Sequence, residues 1–205
     1  MRLFRRGAEF SIRLADTDLM NSRLNCSEEA LASLACERIA ARKMPHILIG
    51  GLGMGFTLRA ALACLPADAR VTVAEIMPDV VRWARGEMAA LFQGCLDDPR
   101  VAIREADVSE IIRASRAAFD AILLDVDNGP EGLMLESNDQ LYDFPGLAAA
   151  KIALKPGGAL GVWSAWPDRD FTETLSRAGF AVEEKRVRAN GKGRGARHVV
   201  WLAGR

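Results

Sequence analysis

From Pro45 onward, short apolar runs rich in Ile, Val and Leu alternate with longer stretches whose apolar residues recur at helical spacing, which predicts βαβ units and a mostly parallel sheet. The strands expected are His46–Ile49, Val71–Glu75, Val101–Glu105, Ala121–Asp125 and Ala159–Trp163, joined by helices Thr57–Leu65, Pro78–Phe92, Val108–Ser115 and Gly146–Leu154. In the second of these helices Val80, Val81, Ala84, Met88 and Leu91 form one stripe to lay on the sheet. After Trp163 the pattern changes to a helix over Asp170–Ala178, stopped by Gly179, and then two strands, Phe180–Val187 and His198–Leu202, that read as an antiparallel hairpin. The fold class is therefore α/β, a Rossmann-like doubly wound sheet of seven strands, mostly parallel, with an antiparallel C-terminal hairpin. Ahead of it, Glu9–Leu14 reads as a strand, Ala15–Asp18 as a turn, and Ser27 as the N-cap of a helix over Glu28–Arg42. Residues 1–44 are thus a short N-terminal strand/helix extension, and 45–205 the main domain.

Composition narrows the partners. Half of the 205 residues are hydrophobic, and Lys plus Arg equals Asp plus Glu at 27 each, so no global field points to nucleic acid or to an anionic membrane. No run of roughly 18 apolar residues suggests a membrane span, and no apolar stretch follows Met1–Arg6 to make a signal peptide, so a cytoplasmic protein is expected. Cys26, Cys36, Cys64 and Cys95 are scattered without a metal-ligand spacing, and with two histidines in the chain no metal is expected.

Candidate chemistry begins where the first strand of the main domain ends. The run Gly50-Gly51-Leu52-Gly53-Met54-Gly55 lets bare backbone approach a ligand beyond a strand's carboxyl end, and Gly51, Gly53 and Gly55 are the expected contacts. The next strand ends in Glu75, about 20 residues further on, where a carboxylate meets ribose hydroxyls. The glycine spacing is G-x-G-x-G, whereas the dinucleotide fingerprint is G-x-G-x-x-G, so a nucleoside without phosphates suits the loop better. Asp107 is open to two readings, acceptor for the adenine amine or N-cap of the helix beginning at Val108. Ile76, Val108 and Asp125, the last at the end of the fourth strand, complete the cofactor-binding positions.

The fourth strand delivers Asp125 to the carboxyl edge of the sheet, where substrate binds in open α/β proteins, with Asp127 and Asn128 close behind. Asp125 and Asp127 are the catalytic candidates, because like-charge repulsion raises a carboxyl towards the range of a general base. Asp127 and Asn128 equally fit a turn. Trp163 either walls an apolar substrate pocket or packs in the core, and Tyr142 either folds over the site or packs. Arg186, Arg188, Lys192, Arg194 and Arg197 crowd the final hairpin and read as a solvated loop.

Gly51–Arg59, Val73–Val81, Asp98–Val101, Asp107, Asp120–Asp125 and Leu154–Gly158 together resemble successive motifs of the spermidine synthase (polyamine aminopropyltransferase) family within the class I S-adenosylmethionine-dependent methyltransferase superfamily. The resemblance spans residues 46 to 163. It implies a catalytic domain over 45–205 that holds an S-adenosyl nucleoside, with Glu75 on the ribose, Asp107 on the adenine and Asp125 on the amine of a small-molecule acceptor, and it is compatible with a homodimer. Three departures qualify it. The family's loop reads G-G-G-D-G, its acid facing the aminopropyl ammonium of decarboxylated S-adenosylmethionine, where this chain has Met54. Asn128 stands where the family has a second acid. Fewer residues precede the sheet than in the synthases. The sequence therefore favours methyl transfer from S-adenosylmethionine to a small molecule, with aminopropyl transfer as the alternative and a non-catalytic nucleoside-binding module as a third.

Overall fold

A computed structural model of the chain describes residues 1–14, 17–126, 139–190 and 196–205. It contains a three-stranded antiparallel sheet, β1 (Arg2–Arg6), β2 (Glu9–Leu14) and β3 (Thr17–Asn21), followed by helix α1 (Cys26–Arg38). The second sheet is built from β4 (His46–Gly50), β5 (Arg70–Glu75), β6 (Val101–Glu105), β7 (Phe119–Leu124), β8 (Leu154–Ser164), β9 (Ala181–Arg188) and β10 (Arg197–Gly204). Its order is β6-β5-β4-β7-β8-β10-β9, with β4 to β8 parallel and β10 antiparallel to both neighbours. The expected seven-stranded sheet and its closing hairpin are both present.

Alternation along the strands divides the core in two. Ile47, Ile49, Ala121, Leu123, Val200 and Leu202 face one layer of helices, formed by α1, α2 (Phe56–Cys64) and α3 (Pro78–Arg85). Leu48, Ile122, Leu124, Val162, Val199 and Trp201 face the other, formed by α5 (Val108–Arg113), α6 (Asp139–Tyr142), α7 (Phe144–Ala153) and α8 (Arg169–Arg177). Helix α1 belongs to the first layer through buried Leu31, Ala32 and Ala35. It comes close because β8 carries Gly161, where a Cβ would lie 2.9 Å from Leu31.

Four local expectations differ from what forms. The helix expected over 78–92 breaks into α3 and a short α4 (Ala89–Phe92), because Gly86 ends α3 by donating to the carbonyls of Arg82 and Trp83. The apolar stripe survives the break, with Val80, Ala84 and Met88 buried. β1 and β3 were not expected; β3 occupies part of the span read as a turn. Ser27 does not cap α1: Asn25 sits at the N-cap without a side-chain bond, and Ser27 lies inside the helix, fully buried.

The Asp98-Pro99-Arg100 motif is a structural lock. Arg100 donates to the carbonyls of Leu62 and Leu65 at the end of α2 (3.1 and 3.0 Å) and pairs through two nitrogens with Asp98 (2.9 and 2.8 Å). Arg100→Ala should therefore lower the free energy of unfolding by about 1–3 kcal/mol, read from the urea midpoint. The Arg100 guanidinium holds the Asp98 carboxyl down at about 2. This contribution is thus present above the ordinary carboxylate range and lost as pH falls towards about 2. An unchanged midpoint in Arg100→Ala would remove the lock from the account.

Candidate active site

The sheet reverses its winding between β4 and β7, and the candidate site forms on the carboxyl side of that switch point. The amide of Gly51 donates to Ala74 O (2.8 Å) and that of Asp125 to Gly50 O (3.0 Å), so the strand ends stay joined where the chain leaves the sheet. Gly51 has φ of +90°, and a Cβ there would stand 2.3 Å from Asp125 O, so no side chain fits. Gly55 also has positive φ, +79°, but its bareness serves packing: a Cβ would meet the Phe92 ring at 2.5 Å. It begins α2 and is absent from the walls of the cavities described below.

Glu75 organises the glycine loop. One carboxylate oxygen accepts from Leu52 N and the other from Met77 N, each at 2.9 Å. Burial pushes its pKa up against these backbone bonds. The backbone amides of Gly53 and Ile76 act on the carboxylate in the same direction as those bonds. Glu75 walls a cavity of about 180 Å³ together with Gly51, Gly53, Ile76, Asp107, Val108 and Asp125, so seven of the eight expected cofactor positions share one enclosure. Leu14 of β2 and Leu19 and Met20 of β3 contribute to its walls. Asp107 caps α5 by accepting from Ser109 N (2.7 Å), as one of its two readings expected, and it also lines this cavity.

A second cavity, about 390 Å³, adjoins the first and shares Gly53, Asp125, Leu19 and Met20 with it. Its other walls include Glu28, Leu52, Met54, Phe56, Trp163, Trp166 and His198. Asp125 accepts a hydrogen bond from the Thr57 hydroxyl at 2.5 Å, and that hydroxyl lies 3.5 Å from Glu28 O. Burial raises the Asp125 carboxyl to about 6, opposed by the Thr57 bond. Glu28 is raised to about 7 by burial and then by the charge of Asp125.

Glu28 is held by a chain of side chains that the sequence did not reveal. It accepts from the Ser27 hydroxyl at 2.6 Å, and Ser27 Oγ lies 2.9 Å from His198 Nδ1. The hydroxyl has one proton and gives it to Glu28, so it accepts from His198, whose Nδ1 carries the hydrogen. Burial lowers the His198 pKa and favours this neutral ring. His198 in turn meets the Trp163 ring edge-on, with centroids 4.9 Å apart. Trp163 therefore walls the cavity, and its buried Nε1 has no hydrogen-bond partner among the described residues.

Tyr142 lies elsewhere. It is buried on α6, meets Phe171 edge-on, and donates its hydroxyl to Val126 O (3.3 Å), so it lines neither cavity but supports the backbone of Val126, a wall of the smaller one. Asp127 and Asn128 fall outside the described residues, as do Lys192 and Arg194. On the hairpin, exposed Arg186 pairs with Glu184 at 3.6 Å, as a solvated surface does. Among the described residues no group of three or more His, Cys, Asp or Glu stands ready to hold a metal, and no helix is long and apolar enough to cross a membrane.

Comparison with known proteins supports the spermidine synthase-like resemblance. The chain is 31% identical over 153 residues to polyamine aminopropyltransferase 1 of Streptomyces coelicolor, a match covering 70% of this chain and 28% of that protein. It is 30% identical over 145 residues to a polyamine aminopropyltransferase of Mycobacterium tuberculosis, covering 66% of this chain and 27% of that one. The chain thus spans between a quarter and a third of the length of these relatives. In fold it matches the spermidine synthase of Thermotoga maritima with a TM-score of 0.73 and 21% identity, over 95% of this chain and 65% of that one. No protein-family model matches. The expectation of methyl transfer finds no support in these relatives, whose names are those of aminopropyl-transferring enzymes.

Proposed function

From this spermidine synthase-like kinship, we propose that the chain transfers the aminopropyl group of decarboxylated S-adenosylmethionine to a small amine. The observation that carries the reading is the junction of the two cavities at Gly53 and Asp125. A nucleoside seated on Glu75 directs its sulfonium to that junction, and the larger cavity beyond contains Glu28 and Asp125 but no Lys or Arg side chain among its described walls. The segment 127–138 has no Lys or Arg in its sequence either. Ammonium groups suit such an enclosure; an α-carboxylate does not.

The reaction is an in-line displacement. The acceptor nitrogen's lone pair forms a bond to the aminopropyl carbon attached to sulfur, and the carbon–sulfur bond breaks with its electrons going to sulfur. The sulfonium leaves as neutral 5′-methylthioadenosine, and Asp125 takes the proton from the amine. Positioning of the two reactants supplies most of the acceleration, because the sulfonium is already an activated leaving group. Asp125 is suited to the proton because burial has raised it to about 6, closer to neutrality than an ordinary Asp.

Incubation with decarboxylated S-adenosylmethionine and a panel of diamines, followed by chromatography of the nucleosides, tests this directly. Amine-dependent release of methylthioadenosine is the expected result. Release of S-adenosylhomocysteine from S-adenosylmethionine would establish methyl transfer instead. Failure to bind either donor would leave a chain without this chemistry.

A further inference from the structure

Met54, which stands in the glycine loop where the resemblance implies an acid, is a buried wall of the larger cavity and brings no charge to it. The cavity is nevertheless acidic, because Glu28 reaches it from α1, an element remote in sequence from the loop. Glu28 is partly exposed, and the hydrogen bond its carboxylate accepts from the Ser27 hydroxyl holds it in place at the cavity wall. Ser27 is fully buried and is itself tied to His198, which packs on Trp163, so the position of the carboxylate is fixed from behind by residues of β8 and β10.

We propose that Glu28 sets the charge specificity of the donor: it receives the terminal ammonium of a decarboxylated S-adenosyl nucleoside and repels the α-carboxylate of S-adenosylmethionine. The inference rests on the aminopropyl-transfer reading and adds to it the residue that discriminates between the two donors. The geometry is that of two carboxylates, Glu28 and Asp125, in an enclosure whose described walls hold no Lys or Arg side chain to accept a further anion. Specificity then comes from repulsion as much as attraction. Burial, and then the charge of Asp125, raise the pKa of Glu28, as for a carboxylate held without a cation, a condition that a bound ammonium relieves. Asp125, at the junction of the cavities, remains free to serve the acceptor.

The test is a titration of wild-type and Glu28→Gln protein with three nucleosides: decarboxylated S-adenosylmethionine, S-adenosylmethionine and 5′-methylthioadenosine. Gln keeps an oxygen for Ser27 and removes the charge. Affinity for the decarboxylated donor should fall about tenfold, affinity for S-adenosylmethionine should rise by several-fold, and affinity for methylthioadenosine, which has neither end group, should not change. Opposite shifts for two ligands of one skeleton cannot come from general damage to the site. An equal loss for all three would reduce Glu28 to a structural residue and overturn the inference. So would unchanged donor affinities accompanied by a raised KM for the acceptor. Wild-type protein that binds methylthioadenosine but does not prefer the decarboxylated donor overturns the inference alone; wild-type protein that binds none of the three overturns the function it rests on as well.

Discussion

Asp125→Asn is expected to lower kcat/KM by about 10²–10⁴-fold while changing the affinity for methylthioadenosine by no more than a few-fold. The asparagine is nearly isosteric and can still accept the Thr57 hydroxyl, which donates to Asp125 at 2.5 Å, so the walls of both cavities keep their shape. What is lost is the proposed proton acceptor where the two cavities meet. The wild-type pH profile should report the same group. Its carboxyl is raised to about 6, so it is protonated and inactive below that value and the rate rises as pH increases through it. In Asp125→Asn this acidic limb should vanish, leaving the influence of Glu28, the other carboxylate facing the cavity, which titrates lower than in the wild type because the charge of Asp125 no longer raises it. Folding stability carries the opposite sign. For both acids the folded pKa lies above the unfolded value, so their contribution is complete below the ordinary carboxylate range and is lost as pH rises through about 6 to 7. The unliganded chain should therefore lose Tm between pH 5 and pH 8, less steeply in Asp125→Asn. An intact acidic limb in the variant would take Asp125 out of the proton transfer.

How much of this site the sequence discloses depends on how local its causes are. The glycine loop, Glu75 and Asp107 are legible because each sits at the end of a strand, and strand ends follow from short apolar runs and the residues that stop them. The strands β4, β7 and β10 are legible from the same runs, since a sheet covered on both faces carries apolar residues at nearly every position, although such runs do not tell one face from the other. Glu28 is different. In the sequence it is one of two adjacent acids in the first turn of a helix, where acids are expected for reasons of the helix dipole alone. Only the packing of α1 beside α2 and against β8, β10 and their side chains Trp163 and His198 turns it inward. Ser27 was misread for the same reason, because a serine at a helix start has a ready local use as a cap. Its actual partner, His198, lies 171 residues away. β1 and β3 escaped notice because charged and polar residues interrupt them. β1 reads Arg-Leu-Phe-Arg-Arg and is largely exposed, so burial leaves no period-two pattern to find.

Glu75→Ala should have the largest effect on nucleoside binding, weakening methylthioadenosine by about 10²–10³-fold. Both carboxylate oxygens are committed to backbone, one to Leu52 N and one to Met77 N, each at 2.9 Å, so the side chain fixes the path of the glycine loop and the start of α3 together. Removing it orphans two amides beside the cavity and removes the acceptor proposed for the ribose hydroxyls, each such charge-assisted bond being worth about 1.5–3 kcal/mol. The two losses act in one direction on binding but oppose each other in stability. An unpaired amide costs about 1–3 kcal/mol, yet the deletion also removes a carboxylate whose burial is unfavourable, as its raised pKa shows. A chain that stays folded with a badly impaired nucleoside site is the expected outcome. Glu75→Gln separates the two roles, since the amide oxygen can keep one backbone bond while its NH₂ faces the other donor and repels it; binding should be weakened by an intermediate amount. Retention of full affinity in Glu75→Ala, in protein whose unfolding midpoint is unchanged, would place the ribose elsewhere than on this carboxylate.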